Sequence, residues 1–148
     1  MNRNSYDSHP SNTRDYGPEP FIVNIDCFAK QNSYYRTTLW TGNQLQVTLM
    51  SIPVHGEVGL EVHSDFDQFI RIEDGCALVM MGKSDTHLRY QQRVGSNYAV
   101  IIPAGTWHNI INTGNIPLKL YSIYAPPQHS FGTVHTTKEA ADAEEKGG

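Results

Sequence analysis

Cysteine is scarce in this sequence. Cys27 and Cys76 are the only two in 148 residues, with no C-x-x-C and no framework spacing. A disulfide scaffold is therefore not expected, and both thiols read as free, buried, small apolar residues in a reducing compartment. Long apolar runs are missing too. The longest candidate, Ala99 to Ala104, is far too short to span a bilayer, and the first twenty residues hold no apolar stretch of the secretion-signal kind. A cytoplasmic location with no membrane partner is the expectation. Basic excess is also absent: the net charge is −4 and the isoelectric point about 5.9, which leaves no cationic stripe for phosphate backbones, so no nucleic-acid partner is expected. There is no G-x-S-x-G, no Walker loop and no G-x-G-x-x-G.

What is present reads as one domain of all-β character. Residues 1–20 carry no aliphatic side chain apart from Met1 and are expected to form a flexible N-terminal arm. FIVNI reads as a short strand, followed by a single helical turn that Asp26 is placed to cap. From Tyr35 onward, short β-branched and aromatic runs alternate with turn residues: YRTTLW, QLQVTLMSIPV, VGLEVH, QFIRI, CALVMM, THLRYQQRV, YAVIIP, WHNIIN and PLKLYSIY. Such a series favours a closed or nearly closed barrel over residues 21–125, since closure removes exposed strand edges. In the tail, residues 126–148, Thr136 and Glu139 form a capping box before KEAADAEEK, which predicts a short, solvated, fraying helix.

Two segments carry chemistry. In the first, E61-V-H63-S-D-F-D-Q68-F-I-R-I-E-D-G75, Glu61 and His63 are two apart and would share one face of a strand, with Gln68 opening the return strand. In the second, P103-A-G105-T-W-H108-N-I-I-N112, Pro103 and Gly105 form a turn that delivers His108. Two imidazoles, a carboxylate and an amide oxygen would converge from three strands on one divalent metal ion. The mixed N/O set suits Fe, Mn, Ni, Co or Zn.

These segments resemble the two motifs of the cupin superfamily. The first motif there runs Gly, H-x-H, three or four residues, Glu, six residues, Gly; here the gap from His63 to Gln68 is four residues and from Gln68 to Gly75 six. The second, P-x-G-x-x-H-x-x-x-N, is matched by Pro103, Gly105, His108 and Asn112. The resemblance implies a single-domain jelly-roll barrel with its metal held by Glu61, His63, Gln68 and His108. Departures lie at Glu61, where the family's first His stands, at Gln68, where it has Glu, and at Asn97, where a Gly is expected. Asn also tolerates a left-handed backbone. Exchanging carboxylate and amide between two ligand positions keeps the site's charge. In another register His63 and Asp65 form H-x-D, but only the Glu61–His63 register leaves Gln68 correctly spaced before Gly75.

Family chemistry ranges over isomerisation, dioxygenation, decarboxylation and lyase reactions, so the fold supplies little reaction specificity. The resemblance to short cupins related to sugar-phosphate isomerases points to a small-molecule isomerase in which the ion polarises a carbonyl or enediol, with Glu61 as base if it is not a firm ligand. An Fe(II) or Mn dioxygenase and a non-catalytic ligand-binding or sensor barrel are the alternatives. Arg36, Arg71, Arg89 and Arg93 are candidates for receiving an anionic substrate, with strand parity turning Arg71 outward. His129 and His135 read as exposed tail residues or as a lid over the barrel mouth, and His55 and His87 as solvated. Trp40, Trp107, Tyr98, Tyr121 and Tyr124 are candidates for lining a substrate cavity, with core or dimer contacts the favoured reading, and single-domain cupins commonly pair, so a homodimer is expected.

Overall fold

A computed structural model describes residues 13–147, with side chains through Glu144. It begins with a short helix, α1 (Ile25–Gln31), followed by β1 (Arg36–Thr41), β2 (Gln46–Ile52), β3 (Gln68–Asp74), β4 (Ala77–Gly82), β5 (Tyr90–Val94), β6 (Ala99–Ile102), β7 (Trp107–Asn112), β8 (Leu118–Tyr124), β9 (Val134–His135) and a closing helix, α2 (Lys138–Gly147). The strands form two antiparallel sheets, one ordered β6-β3-β8-β2-β1-β9 and the other β5-β4-β7. Period-2 alternation turns Met50, Ile52, Ile70, Ile72, Val79, Met81, Val100, Ile102, Ile110, Leu118 and Leu120 inward into one cluster, the core of the all-β barrel. The opposite face of the larger sheet is covered by α1, whose Ala29 packs with Leu39 and Leu49 and is ringed by Tyr16, Phe21, Phe28 and Tyr121. Both faces of β2 are thus covered, which explains its almost unbroken burial.

Several expectations change on this frame. The FIVNI segment forms no strand; α1 starts inside it, and its cap is Asn24, whose side chain accepts from the Cys27 N–H, rather than Asp26. Residues 1–12 of the expected arm lie outside the described residues, but residues 13–20 are tied down: Asp15 accepts hydrogen bonds from the backbone of Gly17, Thr41 and Gly132 and from the Thr41 hydroxyl. The composition of this segment hid a buried carboxylate. At the other end Thr137, not Thr136, caps α2 by accepting from Ala140 N–H. This helix is docked rather than solvated, because Ala141 enters the main core cluster and is 2 % exposed. Neither cysteine is buried: Cys27 is half-buried, Cys76 is exposed, and both are free. β9 was not anticipated, since two residues carry no periodicity.

The glycine positions of the two motifs have physical roles. Asn97 takes φ 75°, the left-handed conformation that a glycine would otherwise supply, and its Oδ1 accepts from Arg71. Gly75 takes φ 96° with Pro117 O and Leu118 Cα 3.1 and 3.2 Å from where a Cβ would sit, so neither conformation nor space suits another residue.

Candidate metal centre

The run VGLEVH, residues 58–63, was expected to be a strand, yet with the preceding Glu57 it makes only isolated bridges to β7, Glu57 to Ile111 and Glu61 to His108. Gly59, at φ 103°, breaks its regularity. Its register is nevertheless fixed. Glu61 N–H donates to His108 O at 3.1 Å and His108 N–H to Glu61 O at 3.0 Å, so the two side chains are neighbours across a narrow antiparallel pair. Asn109 holds the same segment by accepting from Gly59 N–H and donating to Glu57 Oε1. The two sequence motifs are clamped together as well: Gly105 N–H donates to His63 O at 2.7 Å, and Ala104 N–H to Asp67 Oδ1 at 2.9 Å. Asp65, the H-x-D alternative, is absent from the cluster that results.

Donor atoms of Glu61, His63 and His108 lie within 4.8 Å of one another, forming a group able to hold a metal ion. Each is prepared for it. His108, 2 % exposed, donates Nδ1–H to Thr106 O at 2.9 Å, which selects the tautomer whose Nε2 lone pair is free. Burial pushes its pKa down, so the ring stays neutral further into acid than an ordinary histidine. His63 stacks on Phe66, with ring centroids 4.7 Å apart, and its Nε2 donates to Glu61 Oε1 at 3.0 Å. Burial raises the Glu61 pKa, but the hydrogen bond from His63 and the charges of His63, His108 and Arg36 outweigh it and hold the carboxyl below its ordinary value. Gln68 opens β3 opposite Tyr124 and is buried. Its Nε2 donates to Ser122 Oγ at 3.4 Å, while Oε1 is buried with no partner. A buried acceptor left without a donor is unfavourable unless something else supplies the bond.

The sequence profile described as Cupin domain matches residues 48–124, more than half the chain and inclusive of all four candidate ligands. The chain is a cupin. Its relatives include the uncharacterized protein YrkC of Bacillus subtilis, 57 % identical over 143 residues that make up 97 % of this chain and 77 % of YrkC. The uncharacterized protein L612 of Acanthamoeba polyphaga mimivirus is 40 % identical over 116 residues, 77 % of this chain and 70 % of L612. Among solved structures, BH2720 from Bacillus halodurans superposes with a TM-score of 0.88 at 58 % identity, covering 88 % of this chain and 99 % of that one.

In this cupin the metal group opens on a cavity of about 350 Å³ lined by Arg36, Glu61, His63, Tyr124, Gln128, His129, Ser130, His135 and Glu144. The tail therefore forms one wall of the cavity, and His135, for which an exposed loop position was the favoured expectation, is buried. Two residues that sequence reasoning passed over hold that wall in place. Gln46, fully buried, accepts from the backbone N–H of Gln128 and His129 and donates to His129 O. Asp15 accepts from Gly132 N–H. The His129 ring lies edge-on to Tyr124, and burial, with Arg36 and His135 nearby, lowers its pKa to about 4, so it is neutral at pH 7. Of the four candidate arginines only Arg36 faces the cavity. Arg71 pairs with Glu73, and Arg89 and Arg93 are exposed.

Proposed function

We propose that this cupin is a metal-dependent enzyme acting on a small molecule, with one divalent ion held by Glu61, His63, Gln68 and His108. The observation that carries the reading is the cluster of two histidines and one carboxylate within 4.8 Å; the buried, unpartnered Gln68 Oε1 supports a fourth donor. The donors fit an N/O-ligated ion such as Fe, Mn, Ni, Co or Zn. Bound there, such an ion would supply Lewis acidity toward a carbonyl or enediol, the chemistry of an isomerase. The protein's own part is to hold His108 in one tautomer through Thr106 O, to keep Glu61 ionised as ligand or base, and to admit the substrate through a cavity walled by the tail.

Metal content of the purified protein tests this directly. The parent should hold close to one divalent ion per chain and His108→Ala much less; undiminished stoichiometry in the variant would remove the assignment. A group of two histidines and one carboxylate has the residue types of the facial triad of non-haem iron oxygenases, which supports a second reading as an Fe(II) or Mn dioxygenase. Oxygen uptake by the iron- or manganese-loaded protein favours that reading, and turnover of a sugar phosphate without oxygen favours the isomerase. A bound ligand with no product under either condition points to a binding module.

A further inference from the structure

Arg36 is out of place for a structural residue. It is 5 % exposed, opens β1, and lines the metal-site cavity, yet none of the ion pairs among the described residues includes it. Its Nε is buried with no hydrogen-bond partner. Its Nη1 has one hydrogen bond, to His135 Nδ1 at 3.3 Å, and its guanidinium lies over the Tyr35 ring. Because His135 Nε2 donates to Glu144 Oε1 at 2.7 Å, Nδ1 of that imidazole is the acceptor, and Glu144 and His135 together orient the guanidinium. A buried guanidinium with a donor left over and no direct ion pair is unfavourable in the empty protein, even with Glu61 and Glu144 on the same cavity wall. The imbalance disappears if the cavity takes an anion.

We propose that the cavity is a binding site for a small carboxylate, with the Arg36 guanidinium receiving the carboxylate next to the metal group. The planar fork of arginine matches the two oxygens of a carboxylate, which a rounded ammonium does not. The balance of charge in the cavity agrees. Its two lining carboxylates are already engaged, Glu61 with His63 and Glu144 with His135, and a divalent ion with Arg36 would leave the site net positive. At about 350 Å³ the cavity is at the small end of ligand sites, so the bound molecule is compact. With its carboxylate on Arg36, the rest of such a molecule would lie along the Glu61 and His63 wall. The inference rests on the metal-site reading for the second positive charge, but the role of Arg36 is testable by itself.

The experiment is calorimetric titration of zinc-loaded protein with pyruvate and with pyruvamide, its uncharged counterpart of equal size. Zinc stoichiometry is measured on every sample. The parent should bind pyruvate at least about tenfold more tightly than pyruvamide, and Arg36→Gln should lose most of that preference, as a charge-assisted hydrogen bond predicts. Zinc content of the variant should be unchanged, and its unfolding midpoint without ligand equal to or above the parent's, because an unpaired buried charge has been removed. A structural arginine would instead lower the midpoint. Arg36→Lys keeps the charge without the fork and should recover only part of the pyruvate affinity. Failure of pyruvate to bind the parent, equal affinity for the two probes, or equal pyruvate affinity in parent and Arg36→Gln each overturns the proposal. Should Arg36→Gln not fold, discrimination between the probes by the parent and the Arg36→Lys titration decide it. If the parent takes up no zinc, the metal reading falls, and the same titrations on metal-free protein still decide the part of Arg36.

Discussion

An amide oxygen coordinates a cation without adding negative charge, so an ion beside Gln68 and Glu61 keeps more Lewis acidity than one between two carboxylates. The free Oε1 of Gln68 and the fixing of its Nε2 on Ser122 suit that role. Gln68→Glu should therefore retain or tighten metal binding while lowering turnover, measured as metal stoichiometry and as rate on the substrate identified. A variant that binds less metal than the parent would show that Gln68 is not a ligand and that the first motif has been read in the wrong register. Residue types and spacing were enough to single out Glu61, His63, Gln68 and His108 as candidates, of which Glu61, His63 and His108 meet in the fold, because ligand chemistry is local and the motif gaps survive in the sequence. Gln46 and Asp15 were not legible. Their partners are backbone groups 83 and 117 residues away, and no local pattern encodes such a pairing.

Among the elements, the tail between β8 and β9 does most to shape the site, and its attachment makes a testable case. The Asp15 carboxylate links the N-terminal segment, β1 and that tail through Gly17, Thr41 and Gly132. Burial raises its pKa, but the hydrogen bonds from Thr41, Gly17 and Gly132 outweigh burial and hold it below the ordinary 3.8. The folded protein thus binds this proton less readily than the unfolded chain. Its stabilisation is complete above about pH 4 and is lost as the pH falls through the lowered folded value. Asp15→Asn turns an N–H group toward backbone donors, so at pH 7 it should be less stable than the parent by about 1–3 kcal/mol. Denaturant unfolding across the pH range checks this: the gap should narrow below about pH 4, and a constant gap would mean that the carboxylate charge is not what matters.

At the scale of the whole molecule, the larger sheet ends in β6, whose outer edge has no partner strand among the described residues. Around it Ile101, Tyr98 and Tyr90 are 56 %, 46 % and 63 % exposed, and the groove between β5 and β6 is lined by Val79, Val94 and Val100. An unpaired edge flanked by apolar side chains invites pairing with an identical edge. We propose that two copies associate through β6. Light scattering at micromolar concentration should give twice the 16.6 kDa chain mass, and Ile101→Lys should shift it toward the monomer. A monomer mass for the parent would sink the proposal. Among the described residues no helix is long and apolar enough to cross a membrane.

By itself the sequence determined the all-β class, most strand positions and the residues that could hold a metal. Each of these follows from period-2 burial, turn chemistry or ligand spacing, all of which act over a few residues. Only the tertiary structure decided that segment 57–63 meets β7 without becoming a regular strand, that Ala141 docks α2 into the core, and that one of four arginines is buried in the cavity without a direct ion pair. In the sequence Arg36 looks like Arg71: each lies in a β-rich run. What separates them is the far side of the chain, where Glu144 and His135 orient Arg36 without neutralising it, whereas Arg71 meets Glu73 two residues away. The energy of a buried charge depends on everything packed around it, and that is set by contacts between residues about a hundred positions apart.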